Sequence, residues 1–221
     1  MDTHDTPEKS YDLERLIFFT DGVFAIVITL LVIELHVPEG WDRTLAGLFA
    51  AEWRKLIAYA ISFFAVGMFW NAHRLMFRRI VRFHSGLVAF NFILLAFVVL
   101  LPFAVTLIFE SGPRGEPFFI YIALIALIAL SQALLWGFAA FVAKVVDPRY
   151  DNRMKRVIFV TQLMMPVLLS GIALAAANQA PPLTWVWILP VLVLLGRYRR
   201  RVLGTLDPRP VLAQPSSSSS S

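Results

Sequence analysis

Cysteine is absent from the 221-residue chain, which removes disulfides, thiolate nucleophiles and cysteine metal sites from consideration. Charge is scarce: Asp, Glu, Lys and Arg make up 16% of the residues, against about 25% in soluble domains. No serine nucleophile elbow, zinc motif, phosphate loop or pair of acids at catalytic spacing occurs. The expectation is a protein that is not an enzyme and uses no cofactor and no metal. The opening "MDTHDTPEKSYDLE" is acidic and lacks the basic start and short apolar core of a cleavable signal peptide. The first apolar run is therefore expected to be retained. Myristoylation and prenylation boxes are missing as well.

Apolar residues are what the chain has in excess, at 58%, and they are gathered in long runs instead of alternating along strands. A membrane-spanning helix needs about 20 of them, and lipid offers no solvent partner for an open backbone. Six runs qualify: Leu16–Leu35, Leu56–Phe77, Leu87–Phe109, Phe118–Val142, Val157–Asn178 and Leu183–Gly196. The last is short and carries Pro190. With six spans, sixteen of the twenty Lys and Arg residues fall on one side, the cytoplasmic one by the positive-inside rule. Five spans would leave eleven inside and nine outside. The expected fold is all-α, a multi-pass protein of the cell membrane with both termini cytoplasmic. Residues 1–205 form one domain, and residues 206–221, ending in a serine run, form a flexible tail. The net charge of +5 then reflects topology and contact with membrane lipid headgroups, not nucleic-acid binding. Arg74, Arg78 and Arg82 are read as one basic face of a helix end beyond the hydrocarbon.

Polar residues within the runs are few, so each is a candidate for function. Asp21 stands in an otherwise apolar first run, where an acid costs roughly 2.5–3.5 kcal/mol on insertion scales. On a wheel of about 100° per residue with Ile26 as zero, Gly22 falls at about −40°, Thr29 at about −60°, Leu30 at about +40° and Ile33 at about −20°. Asp21 falls at about −140°, off that stripe. Partners available to it are Arg15 on the same helix, Trp70, Asn71 and His73 late in the second run, and Asn91 early in the third. Such donors would satisfy a carboxylate through charge-assisted hydrogen bonds. The other reading is an acid in the headgroup layer, solvated by water. Glu34 marks the far end of the first run. Gln132, Thr161, Gln162 and Asn178 are read as interhelical hydrogen-bonding residues. Trp136, Trp185 and Trp187 fit packing or interfacial belts.

The stretch from Arg15 through Phe19-Thr20-Asp21-Gly22-Val23-Phe24-Ala25-Ile26 resembles the signature first helix of the transmembrane protein 175 family, which comprises a lysosomal potassium channel and shorter prokaryotic homologues. Phe69-Trp70-Asn71-Ala72-His73-Arg74 and Asn91 through Leu101-Pro102-Phe103 support the likeness. Thr20 stands where the family usually has serine, and keeps the hydroxyl. The resemblance implies a homotetramer in a prokaryotic inner membrane, with the first helices lining a pore for potassium and related monovalent cations. It further implies a constriction at Ile26, Leu30 and Ile33, selectivity at Thr29, and a structural network of Arg15, Phe19, Thr20, Asp21, Trp70, His73 and Asn91. No TVGYG loop occurs, so selectivity would not come from a carbonyl-lined filter. Two other classes stay open: a proton-coupled carrier using Asp21, and a non-conducting scaffold.

Overall fold

The computed structural model describes residues 7–33, 35–37, 40–111, 115–177 and 197. They form helices α1 (Pro7–Ile33), α2 (Leu45–Phe77), α3 (Ser85–Val99), α4 (Leu101–Ser111), α5 (Glu116–Gly137) and α6 (Asn152–Ala177), with one π-helical turn at Phe138–Val142. Among the described residues the extended backbone pairing is a single antiparallel bridge, Ile80 with Val146. Among the described residues four helical stretches are long and apolar enough to cross a membrane: Tyr11–Ile33, Leu45–Phe77, Ser85–Glu110 and Glu116–Val142. They fall on the first four expected spans. The fifth coincides with α6, which contains Pro166. The sixth, Leu183–Gly196, lies outside the described residues, as do Glu34, Asn178, Trp185, Trp187 and the tail.

Two boundaries differ from the sequence expectation. The second helix begins at Leu45, eleven residues before the apolar run. Thr44 adopts an extended conformation, and its hydroxyl accepts from Gly47 N at 2.9 Å. That bond satisfies one of the orphan N–H groups of a helix start. Hydropathy measures what lipid covers, whereas the cap fixes where the helix begins. The third run is divided between α3 and α4 around Leu100. Pro102 has no N–H to donate, and its ring crowds the carbonyl four residues back, which interrupts the ladder.

α5 lies at the centre, packed against α6, α3 and α4, while α1 packs against α2 and α3. The core they share includes Phe24, Leu31, Leu94, Ile128 and Leu135. Trp136 is buried within it, donating from Nε1 to Lys155 O at 3.1 Å. It acts in packing, not in an interfacial belt. Close approach is set at Gly86, where a Cβ would collide with the Phe138 ring. That ring stacks on Phe90 at 4.7 Å between centroids, fixing α3 against the π-turn.

Candidate functional site

α1 has two faces. Leu16, Thr20, Phe24, Val27 and Leu31 recur every three or four residues and are buried against α2 and α3. The opposite face carries Gly22, Ile26, Thr29, Leu30 and Ile33, all exposed. Ile26 is 59%, Leu30 38% and Ile33 62% exposed, a branched apolar stripe that the single chain leaves uncovered. A Cβ on Gly22 would meet nothing within 4 Å, so this stripe starts at a shallow point. Thr29 turns its hydroxyl onto its own helix, donating from Oγ1 to Ile26 O at 2.8 Å. Its oxygen lone pairs remain on the open face.

The buried face has a hydroxyl of its own. Thr20 Oγ1 donates to Leu16 O at 2.8 Å and accepts from Asn91 Nδ2 at 2.8 Å. Asn91 Oδ1, left to accept, lies 2.9 Å from His73 Nε2, so the histidine carries its proton on Nε2. The His73 ring stacks on Phe77 at 4.2 Å between centroids. This chain of three side chains ties α1, α3 and α2 together with its members fully or almost fully buried. Thr20 Oγ1, Asn91 Oδ1 and Nδ2 and His73 Nε2 each have a partner, which removes the cost of leaving them unmatched.

Asp21 stands apart from that chain. It is half-buried, and its Oδ1 accepts from Trp70 Nε1 at 2.8 Å. The indole is covered on its face by the Arg74 guanidinium, 5.3 Å from the ring centroid, and Arg74 in turn donates to Asn71 Oδ1 at 2.9 Å. Phe19 stacks on Phe92 of α3 at 5.4 Å.

The expectation of one donor cluster around Asp21 is therefore corrected. Trp70 reaches the carboxylate, while His73 and Asn91 serve Thr20 and Asn71 serves Arg74. Arg15 lies over the Tyr11 ring at 5.6 Å. Six residues separate it from Asp21, which on a helix turns it about 120° away. The basic helix end is corrected as well. α2 finishes at Phe77, Arg78 is its C-cap, and Arg82 belongs to the following loop.

Of the expected interhelical polar residues, Gln132 donates to Phe69 O across the α2–α5 contact at 3.1 Å. Thr161 instead bonds back to Val157 O of its own helix at 2.8 Å. Among the described residues Gln162 Oε1 is buried without a hydrogen-bond partner. Two buried acids escape the sequence reading: Glu52, paired with Lys55 at 2.9 Å across one helical turn, and Asp147, paired with Arg149 at 2.6 Å. The i,i+3 spacing of Glu52 and Lys55 is a visible signal, but both residues precede the apolar run that begins at Leu56.

The profile of the endosomal/lysosomal potassium channel TMEM175 family matches residues 15–102, the stretch holding both arrangements. A protein of Streptomyces collinus named as a potassium channel is 30% identical over 142 residues, covering 62% of this chain and 69% of the relative. The chain belongs to the TMEM175 family. A second member, the endosomal/lysosomal proton channel TMEM175 of Danio rerio, is 34% identical over 149 residues, covering 61% of this chain and 28% of that protein. The fold resembles the crystal structure of a lysosomal potassium-selective TMEM175 homologue from Chamaesiphon minutus, with a TM-score of 0.66 at 24% identity. That likeness covers 84% of this chain and 98% of the other. The family is one of channels, not of enzymes.

Proposed function

We propose that this TMEM175-family chain is one subunit of a homotetrameric cation channel of the cell membrane, passing potassium in weak preference to sodium. The observation that carries the reading is the exposed stripe of Ile26, Leu30 and Ile33 on α1, inside the family-matched stretch and opposite the face that packs into the subunit. Four such helices around an axis would stack these residues as apolar rings, which obstruct ions by dewetting. Opening then requires the rings to widen. Thr29, with its oxygen on the same face, is the selectivity residue of this reading: a hydroxyl ring replaces hydration incompletely, and potassium loses its water at lower cost than sodium. Phe19, Thr20, Asp21, Trp70, His73 and Asn91 hold the back of the pore helix against α2 and α3, while Arg15 lies over Tyr11 of its own helix. Residues 1–205 act as the single channel domain with six spans and cytoplasmic termini, and residues 206–221 as its tail. Membrane lipid and monovalent cations are its partners.

Planar-bilayer recording of purified protein under potassium/sodium bi-ionic conditions tests the reading. Unitary currents with a reversal potential displaced toward potassium are expected. A reversal at zero would remove the selectivity claim, and saturable flux driven by a pH gradient without unitary currents would replace the channel by a carrier using Asp21. The naming of vertebrate relatives as proton channels makes protons a second permeant to measure in the same recording. Tags on both termini should react only from the cytoplasmic side.

A further inference from the structure

Two loops distant in sequence are joined at one end of the bundle. Val81 N donates to Val145 O and Asp147 N to Arg79 O, each at 2.9 Å, flanking the Ile80–Val146 bridge. Ile80, Val145 and Val146 are buried beneath this clasp. On its outer side Arg82 Nη2 donates to the backbone oxygen of Lys144 at 2.8 Å, which brings the two residues together, both of them exposed.

Charge around the clasp is one-sided. Residues 74–82 and 144–156 hold nine Lys or Arg and two acids. Both acids are engaged locally. Asp147 is gripped by Arg149 at 2.6 Å, whose hydrogen bonds hold its carboxyl below the ordinary carboxylate range. Asp151 accepts from Met154 N at 2.7 Å at the start of α6. Neither neutralises Arg82 or Lys144. Lys144 also has a φ of 53°, a left-handed conformation that glycine adopts freely and lysine does not. Here the fold retains a cation where glycine would be relaxed. Apolar side chains border these cations: Val142 is 70% exposed, and Val81 and Phe141 are also uncovered. A soluble anion would gain nothing from them, whereas a lipid presents a phosphate above and acyl chains beside it.

We propose that Arg82 and Lys144 form a binding site for the phosphate of an anionic phospholipid, with Val81, Phe141 and Val142 against its acyl region. Its assignment to the cytoplasmic leaflet rests on the orientation proposed above. Because the site joins the α2–α3 loop to the π-turn of α5, an occupied headgroup position braces two helices that have no covalent link there.

Native mass spectrometry of the purified full chain titrated with phosphatidylglycerol and phosphatidylcholine tests the assignment. Wild-type protein should prefer phosphatidylglycerol by roughly thirtyfold, the ratio that two surface cations at about 1 kcal/mol each toward anionic lipid convert to. The Arg82→Gln/Lys144→Gln double variant should lose that preference, while Arg54→Gln, an equal charge change per residue on α2 near its other end, keeps it. Lys144→Gly removes the cation yet suits the backbone, so it should keep or raise the melting temperature and still lower the preference; this separates binding from folding. Equal affinity for the two lipids, or an unchanged preference in both Lys144 variants, overturns the site. Displacement of phosphatidylglycerol by millimolar inorganic phosphate at constant ionic strength would assign the pair to free phosphate and overturns the lipid. Binding is read without any current, so lipid preference with no cation flux would refute the channel reading alone.

Discussion

Thr20 and Thr29 lie nine residues apart on one helix, and both donate their hydroxyl proton to a carbonyl of that helix. What differs is the lone pair. The oxygen of Thr20 is filled by Asn91 and sealed within the subunit, where it holds α3 against α1. The oxygen of Thr29 faces the stripe that the subunit leaves open. The same residue, bonded back to its own helix at both positions (four residues back at Thr20, three at Thr29), is thus a fastener on one face and an open acceptor on the other. Residue type alone does not assign a role; what the remaining lone pair meets does.

Neighbouring residues sharpen this contrast most strongly. Val27 is buried and Ile26 is exposed. Val27→Asn should lower stability by about 3 kcal/mol, because it removes packing and buries an unmatched amide, and thermal unfolding in detergent would register the loss. Ile26→Asn should leave stability within about 0.5 kcal/mol of wild type, as surface changes do, and raise the current by wetting the ring. Equal destabilisation by both would mean that the open stripe is ordinary core. Next in size, Asn91→Leu leaves His73 Nε2 and the Thr20 oxygen without their shared partner, at a cost of about 1–3 kcal/mol. Unfolding measurements on Asn91→Leu and Thr20→Val, singly and together, should then be non-additive.

Asp21→Asn should cost less, about 1 kcal/mol, since an amide oxygen still accepts from Trp70 and only the charge assistance is lost. A loss as large as that of Asn91→Leu would show that the carboxylate has a charged partner in the assembled protein. The smallest structural effect is expected at Thr29→Val, which should leave melting unchanged. Its reversal potential in bi-ionic recording should move toward zero, and an unaltered value would remove Thr29 from selectivity.

Much of this contrast was legible before any coordinates. Hydropathy placed the first four spans, and the helical wheel put Ile26, Leu30 and Ile33 on one face with Asp21 off it, because both depend on local periodicity. Pairings between helices were not legible. Sequence marks His73, Asn91 and Trp70 as polar side chains in apolar runs, yet which partner each one meets depends on sub-turn rotations of α2 and α3 that no periodicity encodes. The bridge between Ile80 and Val146 joins residues that hydropathy treats as two unrelated loop ends. The interruption at Leu100 did have a signal in Pro102, but an uninterrupted apolar run concealed it.

The length of α2 has a mechanical side. Its 33 residues extend about 50 Å at 1.5 Å per residue, well beyond a hydrocarbon layer of about 30 Å. Its apolar part, Leu56–Phe77, extends about 33 Å and answers a thinner hydrocarbon layer by leaning, carrying the polar remainder of the helix with it. A lean of about 10° around the midpoint sweeps each tip sideways by roughly 4 Å, while the middle, where Val66 packs into the core, hardly shifts. Bilayer thickness is thereby converted into lateral travel at the two ends of α2, and at its C-terminal end that travel is delivered to the arginines after Phe77.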